Sequence, residues 1–358
     1  MIQTPALMID KTRLEANIAR MAAAMDVAGV DLRPHFKTSK LIEVATIQIA
    51  AGAVGFTCST PEEVDALLTA GFTNLFWANA PVGSKAELAA AFNERGLVAV
   101  GIDSMALANP LGAAALARGV AVPVLIEVDT GLGRTGVAPK DALALAEQLT
   151  RLDGVELVGV YMHEGQLAGV GGTREQLRAA GTSAAETLVA VAEQLRAEGI
   201  PVPIVSVGST PGWDSAPLVA GVTEARPGTY VFSDANQLRL ESTTLDQCAL
   251  TVLTSVVSVQ RENAVIVDAG IKAMSSDRSN RGNTFGLPLM SDRELDESLE
   301  FDIAYEEHGR LNGAHTRSVG DTIHILPNHA CGVINMWSFV NVLDGDGAIE
   351  IWSPVARH

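Results

Sequence analysis

Val122-Pro123-Val124-Leu125-Ile126-Glu127-Val128-Asp129 is an apolar, β-branched run. It gives way to the loop Thr130-Gly131-Leu132-Gly133-Arg134-Thr135-Gly136, then to an Ala/Leu-rich helical stretch over 140–152, then to a second strand-like run over 156–162. Strand, helix, strand with short joints implies two parallel strands and a right-handed crossover. The same texture recurs on both sides: strands are predicted at 30–36, 55–59, 74–79 and 98–103 before it, and at 204–210 and 224–228 after it. Amphipathic segments such as 84–93 and 175–197 lie between them. Ser59-Thr60-Pro61-Glu62 supplies a helix N-cap and a helix-first proline. Eight such units in about 200 residues fit a closed (β/α)8 TIM barrel better than an open doubly wound sheet.

From about residue 240 the helical period fades. Runs at 248–259, 264–268, 321–326 and 348–352 read as strands separated by Gly, Asn and Asp turns. The expected organisation is a barrel over 1–238, whose first residues are free to join the other unit, and a C-terminal mostly-β domain over 239–358.

Composition narrows the function. Of 358 residues, 25 are Lys or Arg and 42 are Asp or Glu, a net charge of −17 that repels phosphate backbones and argues against nucleic acid. No window reaches the roughly 18 uninterrupted apolar residues of a membrane span. Met1-Ile2-Gln3-Thr4-Pro5 lacks the basic and apolar regions of a signal peptide. Cys58, Cys248 and Cys331 are odd in number and far apart, against a disulfide framework. The expectation is a soluble cytoplasmic protein that binds neither nucleic acid nor membrane.

In a (β/α)8 barrel the site is built at the C-terminal ends of the strands. The first strand runs into Arg33-Pro34-His35-Phe36-Lys37-Thr38-Ser39-Lys40, the sixth ends in Tyr161-Met162-His163-Glu164-Gly165, the seventh in Gly208-Ser209-Thr210-Pro211 and the eighth in Arg226-Pro227-Gly228-Thr229-Tyr230. Gly208-Ser209-Thr210 with Gly228-Thr229 reads as a phosphate cup, or as two ordinary turns. Lys37 reads as a partly desolvated nucleophilic amine suited to a Schiff base with pyridoxal phosphate, or as a surface lysine. Arg134, in a small-residue loop, can lie close to a ligand. Arg226 suits the cofactor's pyridine nitrogen, which an arginine keeps unprotonated, weakening the ring as an electron sink. His163 is flat enough to stack on the ring and is equally readable as a core histidine.

In the second domain, Pro327-Asn328-His329-Ala330-Cys331 is the sharpest feature. Residues two apart in an extended segment point the same way, so imidazole and thiolate can grip one ion. The softness of the pair favours Zn²⁺ ahead of Mn²⁺ or Mg²⁺, although an isolated His-x-Cys also arises by chance. His308 reads as a third ligand, a base, or a solvated residue.

These motifs together resemble the fold-type III, alanine racemase-like pyridoxal-phosphate enzymes, specifically the D-threonine aldolase and D-serine dehydratase group. The resemblance runs nearly end to end, from Thr4-Pro5-Ala6 to Trp352-Ser353-Pro354-Val355-Ala356-Arg357. It also takes in Asp129-Thr130-Gly131-Leu132-Gly133-Arg134-Thr135-Gly136-Val137 and Asp268-Ala269-Gly270-Ile271-Lys272-Ala273-Met274-Ser275-Ser276-Asp277. It implies that Lys37 forms the internal aldimine, that Arg134, His163 and Arg226 surround the ring, and that Ser209, Thr210, Gly228 and Thr229 or Tyr230 hold the phosphate. It further implies that His329 and Cys331 bind a divalent metal and that the chain forms a homodimer with shared active sites. Two departures stand out. Many relatives have a histidine in place of Ser39, and a longer aromatic loop than Glu164-Gly165-Gln166-Leu167 after His163.

The implied activity is that of a lyase on small D-configured β-hydroxy-α-amino acids. Retro-aldol cleavage to glycine and an aldehyde is placed first. Dehydration to a keto acid and ammonia is the close alternative, because the dehydratases of the group read His-x-Cys and the aldolases His-x-Asp. A racemase would need a second base facing Lys37. A non-catalytic cofactor-binding protein would leave His329 and Cys331 idle.

Overall fold

The structure is a computed structural model and describes residues 2–290 and 293–357. Its chain divides into two compact units, one of 21–37 and 45–228, the other of 2–20, 38–44 and 229–357. The division falls at Gly228 and Thr229, ahead of the change in texture near residue 240. Among the described residues no helix is long and apolar enough to cross a membrane.

The first unit is a parallel sheet of eight strands wrapped by helices. The strands Asp31–Leu32, Phe56–Cys58, Asn74–Trp77, Leu97–Ile102, Val122–Glu127, Val155–Tyr161, Ile204–Val207 and Glu224–Ala225 form one ladder. It ends where Asp31–Leu32 pairs with Glu224–Ala225. A parallel bridge from His35 to Thr57 joins the two ends, so the sheet closes as the strand–helix alternation predicts.

The first and last strands are much shorter than their sequence runs. Pro34 and Pro227 succeed Arg33 and Arg226, and a proline has no N–H to give to a ladder, so past them pairing is reduced to single bonds such as His35 N–H to the Pro227 carbonyl at 3.1 Å.

Inside the barrel, Phe76, Leu125 and Tyr161 pack into one buried cluster. Phe76 and Tyr161 meet edge to face at 4.9 Å between centroids. Gly101 makes room for this packing, since a Cβ there would lie 2.2 Å from the Tyr161 hydroxyl. Outside, the helix Met105–Arg118 turns Ala108, Leu111, Gly112, Ala114 and Ala115 inward, a small-residue face that lets helix and sheet approach closely. At the helix Pro61–Thr69 the expected cap is present: Thr60 accepts from the Glu63 N–H and Pro61 occupies the first turn. A cavity of about 140 Å³ occupies the N-terminal end of the barrel, walled by apolar residues with Arg33, Asn74, Glu156 and Glu224.

The second unit is mostly β. Its sheet runs Glu300–Ala304, Gly309–Asn312, Ala264–Val267, Leu250–Arg261, Ala6–Asp10, Val340–Leu343 and Ile349–Trp352, with Thr322–Pro327 joining Leu250–Arg261 to Gly286–Leu289. The N-terminal strand Ala6–Asp10 therefore belongs to this sheet, antiparallel to Leu250–Arg261 and parallel to Val340–Leu343.

Candidate active site

The barrel unit gathers Lys37, Arg134, His163, Ser209, Thr210, Arg226 and Gly228 at or just past the C-terminal ends of its strands. Lys37 sits in the single helical turn Phe36–Thr38, partly buried. Its amine makes no ion pair or side-chain hydrogen bond among the described residues, which leaves a primary amine available to an aldehyde.

His163 is held by Nδ1, 2.7 Å from the Gly208 carbonyl oxygen. A carbonyl only accepts, so Nδ1 carries the proton. Burial, then the charge of Lys37, bring the His163 pKa down to about 4. The ring is neutral at physiological pH, with Nδ1 anchored.

The loop after Val122–Glu127 is shaped by Asp129, whose Oδ1 accepts from Gly131 and Gly133 N–H at 2.9 and 3.1 Å. Those bonds hold the Asp129 carboxyl below its ordinary pKa. Gly136 has φ +102°, and a Cβ there would lie 2.9 Å from the Asp129 nitrogen, so glycine is required. Arg134 projects from this loop half-exposed, with Glu127 Oε1 at 3.6 Å.

Arg226 is the most constrained of the set. Nη1 donates to Ser206 Oγ and to the Val207 carbonyl, and Nη2 donates to the Met162 carbonyl at 2.6 Å. The guanidinium also lies over Tyr161 and Phe76, 5.3 and 5.5 Å from their centroids. Two of its five N–H groups, on Nε and Nη2, have no protein partner among the described residues although the residue is only 5% exposed. A buried, oriented, unspent donor pair fits an acceptor such as a pyridine nitrogen.

Glu164 escapes a reading of the sequence, although it stands beside His163 at the same strand end. Fully buried, it accepts from Gly208 N–H and Ser209 Oγ, both at 3.1 Å, and burial raises its pKa. The expected phosphate cup is thus braced from behind by a carboxylate, and the Ser209 hydroxyl is engaged with it. The Ser209 main-chain N–H has no protein partner among the described residues, as an anion site requires.

In the β unit, Thr229 and Tyr230 form the buried turn Thr229–Val231. His329 and Cys331 do adjoin, but not as an extended pair. His329 is the extended N-cap of the helix Ala330–Met336, and Cys331 lies in that helix's first turn. The Cys331 charge, ahead of Asp234, raises the His329 pKa well above its ordinary value. The same negative field attracts a divalent cation. Thr38 Oγ1 lies 3.2 Å from Cys331 Sγ, and buried Asp234 places a carboxylate oxygen 3.6 Å from His329 Nδ1. Asp234 is fixed in turn by the Gln237 and Ala330 N–H groups, at 2.8 and 3.0 Å. A nitrogen and a sulfur ligand backed by a carboxylate suit a borderline or soft divalent ion.

His308 lies in the exposed turn between Glu300–Ala304 and Gly309–Asn312. Among the described residues no group of three or more His, Cys, Asp or Glu side chains is arranged to hold an ion.

Residues 9–236 match the model of the alanine racemase N-terminal domain, and residues 249–343 match that of a putative serine dehydratase domain. The chain belongs to this family of alanine racemase-like, pyridoxal-phosphate-dependent lyases. It is 38% identical to a D-threo-3-hydroxyaspartate dehydratase of Delftia sp., over 98% of this chain and 97% of that one. It is 31% identical to a D-threonine aldolase of Arthrobacter sp., over 99% and 93%. A solved variant of a D-threo-3-hydroxyaspartate dehydratase with one cysteine replaced by alanine, described as metal-free, superposes with a TM-score of 0.93 at 36% identity, over 99% of this chain and 98% of that one.

Proposed function

We propose that this lyase removes water from D-configured 3-hydroxy-α-amino acids, releasing a 2-keto acid and ammonia. The observation that carries this reading is the His329–Cys331 pair at the start of the helix Ala330–Met336, with Thr38 at Cys331 and Asp234 at His329, offering a nitrogen and a sulfur ligand in a chain more similar to a dehydratase than to an aldolase. The cysteine variant of the related dehydratase, described as metal-free, supports a ligand role for Cys331. Retro-aldol cleavage is the second reading, favoured by 31% identity to a D-threonine aldolase over nearly the whole chain.

Pyridoxal phosphate, when bound, supplies a ring that withdraws the electron pair left at Cα. A divalent ion, Zn²⁺ ahead of Mn²⁺ or Mg²⁺, supplies a Lewis acid for the β-hydroxyl. The chain's own residues do the rest. Lys37 would offer the amine that holds the cofactor's aldehyde, and its Nζ would serve as the acceptor of the substrate's α-proton. Neutral His163 presents a flat face to the ring. Arg226 would turn its unspent N–H groups toward the ring nitrogen and hold it unprotonated, which would limit how much charge the ring takes up. Ser209, Thr210, Gly228, Thr229 and Tyr230 are assigned to the phosphate, Arg134 to the ring's surroundings, and His308 to a base. We assign barrel and β unit as separate domains, within a cytoplasmic homodimer.

Product analysis tests the reading. The protein, loaded with pyridoxal phosphate and Zn²⁺, is given D-threo-3-hydroxyaspartate, D-threonine and D-serine separately. Dehydration yields ammonia with oxaloacetate, 2-oxobutanoate and pyruvate respectively. Glycine with glyoxylate, acetaldehyde or formaldehyde would replace dehydration by carbon–carbon cleavage.

A further inference from the structure

Behind Arg226 the barrel interior carries a line of charge that the reaction as described leaves unused. Arg33 Nε donates to Glu224 Oε2 at 2.6 Å, Ser206 Oγ donates to Glu224 Oε1 at 2.6 Å, and Ser206 Oγ accepts from Arg226 Nη1. All four residues are buried, at 8, 4, 0 and 5% exposure for Arg33, Glu224, Ser206 and Arg226. The line starts at the wall of the cavity at the barrel's N-terminal end and finishes at the strand ends.

We propose that Ser206 and Glu224 are positioning residues for Arg226, the carboxylate orienting the serine hydroxyl and the hydroxyl fixing the guanidinium against the cofactor's ring nitrogen. The inference rests on the cofactor reading above. A serine hydroxyl has one hydrogen, and here Glu224 takes it, so only lone pairs face Arg226. Without that acceptor the hydroxyl is free to turn its hydrogen toward Nη1, donor against donor. The guanidinium is planar, so fixing Nη1 on Ser206 and Nη2 on the Met162 carbonyl fixes the direction of the unspent Nε–H.

Arg33 completes the arrangement. It occupies the other Glu224 oxygen and is tied to Asn74 Oδ1 at 2.9 Å. Two guanidinium charges then flank one carboxylate, the line is left with a single net positive charge, and the end that meets the ring stays cationic. Burial works against the Arg226 charge, and Glu224 leads the groups that sustain it. Buried ion pairs are weak sources of stability compared with apolar packing, so a line of this kind at the back of the site calls for a positional role.

The test uses holoenzyme loaded with pyridoxal phosphate carrying ¹⁵N in the ring, in wild type, Ser206→Ala, Ser206→Thr and Glu224→Gln. Ring-nitrogen NMR shift, cofactor release rate and melting temperature are measured together. The wild type should show an unprotonated nitrogen that accepts a hydrogen bond. In Ser206→Ala and Glu224→Gln the resonance should move toward a protonated or unbonded nitrogen, with release about tenfold faster, and Ser206→Thr should restore both. If Ser206→Ala does not fold, Glu224→Gln reads the same resonance. Variants that melt lower while the resonance stays in place would show a purely structural line and overturn the inference, as would a protonated nitrogen in the wild type. A wild type that holds no cofactor reducible onto Lys37 would instead defeat the cofactor reading, and this inference with it.

Discussion

The barrel's strand ends and the His329–Cys331 corner of the β unit hold reactive groups in opposite ways. In the barrel each group stands on its own strand end and is braced by others: His163 by Gly208, Gly208 and Ser209 by Glu164, Arg226 by Ser206 and Met162. In the β unit His329 and Cys331, two apart at one strand-to-helix junction, form a single pair with Asp234 and Thr38 behind them. A distributed site lets one residue change while its neighbours keep the cofactor. A paired site stands or falls as a unit.

The largest expected effect breaks the barrel half. Lys37→Ala should abolish the chromophore that reduction fixes to the protein and lower turnover by at least the roughly 10²–10⁴-fold of a lost proton acceptor. Absorbance after borohydride treatment and a product assay check both, and turnover that persists removes Lys37 from the mechanism. The complementary change breaks the β half alone. His329→Ala or Cys331→Ala should leave the chromophore in place and remove bound metal together with metal-dependent turnover. Metal content by elemental analysis decides it, and a chelator that leaves the wild-type rate untouched would end the metal assignment. Cys331→Asp should keep the site and move its preference toward harder ions such as Mn²⁺ or Mg²⁺.

A smaller effect sharpens the contrast within the β unit. Asp234→Asn keeps an oxygen for the Gln237 N–H but gives up the acceptor of the Ala330 N–H and takes the charge away from His329, so metal affinity should fall about 10–100-fold. Competition with a chromogenic chelator measures it. Unchanged affinity would reduce Asp234 to a helix cap.

The same contrast explains what the sequence reveals. Barrel residues are legible because strand–helix alternation predicts a closed sheet, and the sheet dictates where reactive residues must stand. Lys37, Arg134, His163 and Arg226 all lie at or past strand ends, as that rule requires. Glu164, Ser206 and Glu224 are not legible: a polar residue inside a barrel strand, such as Ser206 or Glu224, looks in sequence like one that faces solvent until closure sets its direction, and Glu164, past its strand end, looks like an ordinary loop residue. His329 and Cys331 are legible as a motif, but the fold joins them by a geometry other than the extended one expected. An extended pair and an N-cap leading into a helical first turn both bring such side chains together, and the Ala330–Met336 helix is too short to announce itself by periodicity.

The smallest expected effect compares one buried histidine from each unit. His163 in the barrel and His324 in the β unit both have pKa values brought down to about 4, in each case chiefly by burial. Unfolded, each returns to about 6.5. Between those values the unfolded chain binds more protons than the folded one, so stability rises with pH across the window and is lost as pH falls from about 6.5 toward 4. Above pH 7 both rings are neutral in either state and contribute nothing to the slope. From pH 6 to pH 5 each histidine should therefore cost the cofactor-free protein about 1 kcal/mol. His163→Phe keeps a flat ring and removes the barrel's share alone, while carboxylates common to both proteins cancel in the comparison. Urea midpoints of wild type and variant should converge by that amount as pH falls across this interval. Parallel curves would mean that His163 exchanges its proton with solvent as freely when folded as when unfolded, and the neutral, anchored ring on which the barrel site depends would be lost.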